Sequence, residues 1–82
     1  MAATVTAEQV EKVVADTLAE IGPERELIKR DATFEELDVD SLDLAELGQV
    51  VDEQYGVKLK GDDISSIETV GQAIDLIVSR AQ

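Results

Sequence analysis

Val10, Val13, Val14, Thr17, Leu18 and Ile21 recur at intervals of three and four residues, the spacing that lines one face of an α-helix. The same spacing returns at Leu44, Leu47 and Val51 and again at Val70, Ala73, Ile74, Ile77 and Val78, and no segment alternates apolar with polar as a half-buried strand does. The chain must therefore bury helices against one another. The first helix opens at Thr6, an N-cap with Gln9 three residues later to close a capping box and Val5 and Val10 to form a hydrophobic staple. Gly22-Pro23 stops it, because proline lacks the N–H that would continue the ladder. Thr69 and Gln72 repeat the box and start a last helix that ends near Arg80.

The second helix is expected from about Ser41 to Tyr55, with Gly56 as a left-handed cap. At 100° per residue, Leu47, Val50, Val51 and Tyr55 fall on its inner side with Leu44 at the edge. Leu42, Ala45, Glu46, Gln49, Asp52 and Glu53 fall on the outer side, which leaves Leu42 apolar yet outward. Gly48 lowers helix propensity by roughly 1 kcal/mol relative to Ala, so this helix depends on tertiary packing. Ile64-Ser65-Ser66-Ile67 is enough for a short third helix. The expected architecture is all-α: a four-helix bundle of three longer helices and one short one, forming a single domain over residues 1–82.

Residues 22–40 carry no long periodic segment and form a long first loop. Leu27, Ile28, Phe34 and Leu37 are too apolar to be solvated together, so the loop is expected to lie against the helices. Thr33-Phe34-Glu35-Glu36-Leu37 has the cap-then-acid pattern of a single helical turn.

Composition removes several chemistries. The chain has no Cys and no His, which excludes disulfides, thiolate chemistry, a Ser-His-Asp site and the commonest metal ligand. Nineteen acids against seven bases give a net charge of -12. Such a field repels nucleic acid and anionic membranes and favours proteins with Lys/Arg patches. No apolar run approaches the ~20 residues that span a bilayer, and the first residues lack the pattern of a signal peptide, so a cytoplasmic monomer is expected.

The stretch Leu37-Asp38-Val39-Asp40-Ser41-Leu42-Asp43-Leu44 sets one hydroxyl among three carboxylates. Three readings compete. As a helix N-cap, Ser41 needs no further role. As part of a calcium loop counted from Asp38, the stretch fails, because Leu42, Asp43 and Gln49 stand where an oxygen ligand, a glycine and a glutamate are required; no metal site is expected. As a point of covalent attachment, a hydroxyl at a helix start offers a phosphodiester the positive end of the helix dipole and unpaired N–H groups.

Asp40-Ser41-Leu42, preceded by Phe34-Glu35-Glu36-Leu37-Asp38 and followed by Asp43-Leu44-Ala45-Glu46-Leu47, resembles the acyl carrier proteins that serve fatty acid or polyketide synthesis by discrete enzymes, whose signature is Asp-Ser-Leu at the start of the second of four helices. The likeness takes in the long first loop, Tyr55-Gly56-Val57 and the last helix. It implies that Ser41 accepts 4'-phosphopantetheine from coenzyme A through a separate phosphopantetheinyl transferase, and that the chain carries thioesters without being an enzyme. It also implies a docking surface of Asp40, Leu42, Asp43, Ala45, Glu46, Gln49, Asp52 and Glu53 for ketosynthase, acyltransferase, ketoreductase and related enzymes with basic patches. Leu44, Leu47, Val51, Ile64, Ile74 and Ile77, core residues first, would by the same resemblance line an acyl pocket. Two departures stand out: Leu59-Lys60-Gly61 where many carriers have proline, and Gly48 in mid-helix. The competing functions are an acidic helical adaptor or inhibitor in which Ser41 only caps a helix, and a peptidyl carrier domain.

Overall fold

The computed structural model describes residues 5–81; Met1–Thr4 and Gln82, the ends of the expected domain, lie outside the described residues. Four α-helices follow in order: α1 Ala7–Ile21, α2 Ser41–Tyr55, α3 Gly61–Ser66 and α4 Val70–Ala81. α1 packs against both α2 and α4, and α2 against α3. Helix α1 starts as its sequence requires: Gln9 N–H donates to Thr6 Oγ1 at 3.2 Å and Thr6 N–H to Gln9 Oε1 at 3.3 Å. Val10, Val14 and Leu18 are wholly buried, with Val5, Val13 and Ile21 packed against the cluster they belong to. At the other end of α2, Gly56 takes φ +71° and its N–H donates to Asp52 O at 2.8 Å, a left-handed cap that glycine adopts without a Cβ penalty.

The first loop is part of the core. Ala32, Phe34, Leu37 and Val39 are all buried against the helices, as its apolar content demands. Leu27 is an exception: it is 57% exposed. It closes a 3-10 turn, Arg25–Leu27, that periodicity did not reveal and that an ion pair from Arg25 ties to Asp16 of α1. Thr33 opens the expected single turn by accepting from Glu36 N–H at 3.0 Å while Glu36 Oε2 accepts from Thr33 N–H at 3.1 Å. The turn closes with Asp38 at φ +59°, Asp38 N–H donating to Glu35 O at 3.1 Å and Val39 N–H to Phe34 O at 2.9 Å. This is a Schellman closure with Asp38 in the glycine-favouring position, and it turns Val39 inward and Asp40 outward.

Three backbone bonds strap the loop to the start of α4: Phe34 N–H to Glu68 O at 3.0 Å, Val70 N–H to Ala32 O at 3.0 Å and Gly71 N–H to Arg30 O at 2.8 Å. Thr33 and Thr69 thereby form an isolated β-bridge, and no strand occurs among the described residues. The bonds from Val70 and Gly71 use N–H groups that the first turn of α4 cannot satisfy internally. Thr69 adds the expected capping box, accepting from Gln72 N–H at 3.1 Å and donating its own N–H to Gln72 Oε1 at 3.2 Å.

Two boundaries differ from expectation. Helix α3 begins at Gly61 and ends before Ile67, whose buried side chain belongs to the linking segment. Its start is organised by Asp63, which accepts from Lys60 N–H at 3.0 Å and takes two bonds from Arg80, at 2.6 and 3.1 Å. On α2, Val50 is only half-buried and is not among the residues packed against the core, whereas Tyr55, Leu47 and Val51 are. Among the described residues, no helix is long and apolar enough to cross a membrane.

Candidate functional site

Ser41 lies at the junction that the loop and α2 build together. Its cap role, one of the sequence readings, is overturned: the cap is Asp40, whose Oδ1 accepts from Leu42 N–H and Asp43 N–H, each at 3.1 Å. Asp43 returns the bond, Oδ2 accepting from Asp40 N–H at 3.3 Å, so two carboxylates form a reciprocal box. Ser41 is the first residue inside the helix and is exposed, and its hydroxyl has no hydrogen bond among the described residues. The cap is thus complete without it.

That arrangement corrects the environment expected for a phosphodiester. Two of the N–H groups at the start of α2 are already paired with Asp40. An anion carried on Ser41 would stand outside the cap, facing solvent beside a carboxylate, with the helix dipole as local compensation.

The outward face of α2 is placed as its periodicity requires. Asp40, Leu42, Ala45, Glu46, Gln49, Asp52 and Glu53 are exposed, and Asp43 is half-buried by its cap role. Leu42, adjacent to Ser41, is 79% exposed, a large apolar side chain held in water by a well-formed helix. The 15 residues of α2 contain no base, so the face carries one sign of charge.

The six aliphatic residues considered for an acyl pocket are not all alike. Leu44, Leu47, Val51, Ile74 and Ile77 are buried in the main core, whereas Ile64 is half-buried. Ile64 borders a surface hollow between α2 and α3 together with Ala45, Gly48, Gln49, Asp52, Lys58 and Leu59. Gly48 is buried there, 3.5 Å separating its notional Cβ from Leu59 Cβ. The mid-helix glycine therefore sits under the Leu59 that replaces the expected proline region, a packing relation hidden from helix propensity.

The two groups with shifted ionisation lie away from Ser41. The hydrogen bonds from Arg80, then that from Lys60 N–H, hold the Asp63 carboxyl below the usual carboxylate range, with burial opposing them. The bond to Asp75 raises Arg30 above the usual arginine value.

Against known proteins, the family model described as "Phosphopantetheine attachment site" matches residues 8–77. The chain is 39% identical over 74 residues to an acyl carrier protein of Nitratidesulfovibrio vulgaris (strain DP4), covering 89% of this chain and 93% of that one. It is 33% identical over 76 residues to an acyl carrier protein of Lactobacillus johnsonii (strain CNCM I-12250 / La1 / NCC 533), covering 90% and 95%. The solution structure of the acetyl actinorhodin acyl carrier protein from Streptomyces coelicolor is similar with a TM-score of 0.71 at 25% identity, over 99% of this chain and 95% of that one. With four helices in the same arrangement and the attachment-site model running through α2, this chain belongs to the acyl carrier protein family.

Proposed function

We propose that Ser41 is the residue that bears the 4'-phosphopantetheine of this carrier. Family membership makes the chain a carrier of acyl intermediates on that covalent group, and not an enzyme. The group supplies a terminal thiol, on which acyl chains travel as thioesters, to a chain that has no cysteine of its own. The observation that carries the assignment to Ser41 is the division of labour at the helix start. Asp40 does the capping, so the exposed serine oxygen has no structural bond to give up when it reacts. Loading is a phosphoryl transfer from coenzyme A: the serine oxygen forms a bond to the phosphorus bearing the pantetheine, the bond to the adenosine-side phosphate breaks, and the serine proton passes to the base of a separate transferase.

The exposed face around Leu42 is the surface on which that transferase and the synthase enzymes, among them ketosynthase, acyltransferase and ketoreductase, would dock. Asp43, Glu46, Asp52 and Glu53 with Asp40 steer basic surfaces at long range, and Leu42 and Ala45 supply a small apolar contact, a combination suited to fast and reversible encounters. Cargo that withdrew into the fold between α2 and α3 would meet Ile64 first and would then have to part Leu44, Leu47, Val51, Ile74 and Ile77. The adaptor alternative gave Ser41 only a cap to make, and Asp40 makes it.

Coexpression with a broad-specificity phosphopantetheinyl transferase, followed by intact mass measurement, tests the assignment. The wild type should gain one arm and Ser41→Ala none. A Ser41→Ala protein that still gains the arm would overturn the assignment.

A further inference from the structure

Val50 is the apolar residue of α2 that neither the core nor the docking face accounts for. It is half-buried, yet it does not pack against the hydrophobic cluster that takes up Leu44, Leu47, Val51 and Tyr55. Its place on the helix explains this: it lies about 80° from the exposed Leu42 and about 60° from the buried Leu47, on the boundary between the outward and inward sides. Leu42, Glu46 and Val50 follow at steps of four along one ridge, so the two apolar side chains stand two turns apart, about 12 Å along the axis, with Glu46 between them. Asp43, two turns before Val50, and Glu53, one turn after it, complete an acidic surround.

We infer that Val50 is a second apolar anchor of the docking surface, paired with Leu42, and that the partner it fits is a protein presenting a cationic side chain between two shallow apolar sockets about 12 Å apart. This rests on the proposed use of the α2 face. It moves the centre of that face off the Leu42–Ala45–Gln49 line and onto the Leu42–Glu46–Val50 ridge. A lone surface valine is ordinary. What distinguishes Val50 is its alignment with Leu42, the most exposed large apolar side chain among the described residues, in a helix without a base. The charge fixes the sign of the partner's surface, and the valine adds a contact that salt does not screen.

The test is the steady-state kinetics of arm transfer by a broad-specificity phosphopantetheinyl transferase, with coenzyme A saturating and the carrier varied. Val50→Gln keeps the net charge and a side chain that suits helices, and its melting curve reports that the fold is retained. The carrier KM should rise about fivefold, the worth of a partly buried valine contact, with kcat unchanged, and Leu42→Gln should do the same. Glu20→Gln on α1 removes an acid away from the ridge and serves as the control. A Val50→Gln KM equal to that of the wild type, whatever Leu42→Gln does, overturns the inference and leaves the Ser41 assignment standing. A wild type that accepts no arm at all overturns both.

Discussion

The same substitution, glycine to alanine, should have opposite signs in two helices of this protein. At Gly71, in the first turn of α4, an added Cβ would come within 2.9 Å of the backbone carbonyl oxygen of Arg30, the same oxygen that accepts the Gly71 N–H at 2.8 Å. A carbonyl held by a backbone bond cannot swing aside as a side-chain tip can. The strap must move, and with it the neighbouring bond from Val70 N–H to Ala32 O. Overpacking of this kind costs about 2–3 kcal/mol, and the gain in helix propensity returns at most about 1 kcal/mol, so Gly71→Ala should destabilise by about 1–2 kcal/mol. For a chain of this size that lowers Tm by about 4–16 °C. At Gly48 the nearest atom to an added Cβ is Leu59 Cβ at 3.5 Å, ordinary contact, so the full propensity gain of about 1 kcal/mol should appear, raising Tm by about 4–8 °C. Thermal and urea unfolding followed by circular dichroism read both. A Gly71→Ala protein as stable as the wild type would refute the account of the strap.

The remaining predictions concern the caps, the clamp on α3 and the loop. Asp40→Ala should cost about 1–2 kcal/mol in urea unfolding, whereas Ser41→Ala should stay within about 0.5 kcal/mol; the reverse order would mean that the serine caps α2. Asp63 titrates lower in the folded chain than in the unfolded one because of Arg80, so its contribution is full above the ordinary aspartate range and is lost as pH falls through the lowered native value. Comparing urea midpoints of the wild type and Arg80→Gln, the gap should hold at neutral pH and close as pH drops below about 4; a gap that widens in acid contradicts the clamp. Phe34→Ala should cost about 3–5 kcal/mol, since this loop residue is 4% exposed within the core; a loss under about 1 kcal/mol would make the loop a tether and not a packed layer.

Local chemistry was legible where both partners of a bond stand three or four residues apart. The boxes Thr6–Gln9, Thr33–Glu36 and Thr69–Gln72 and the left-handed Gly56 all occur as their spacing requires. The competing reading of Ser41 as the cap of α2 passed over a signal that was present, for Asp40 and Ser41 are both good cap residues and only Asp43, three beyond Asp40, distinguishes them. Helix α3 was placed too late for a related reason: its start depends on Asp63 reaching back to Lys60 and across to Arg80, and the second bond is non-local. Ala32, Val39 and Val57 are buried without belonging to any periodic stripe, and the left-handed Asp38 and the Gly71–Arg30 contact arise from how the loop meets α4. Of the α2 face, Leu42, Ala45, Glu46, Gln49, Asp52 and Glu53 were readable from the 100° rule; Val50 was not, because it lies near the boundary between the two sides.

The measurement that bears most directly on the carrier reading is a site-resolved mass spectrum. Protein loaded by the transferase is digested, and its fragments locate the arm among Ser41, Ser65, Ser66 and Ser79. The account requires the whole added mass on Ser41, with the other three serines unmodified. Arm found on any of those three, with Ser41 bare, would contradict it.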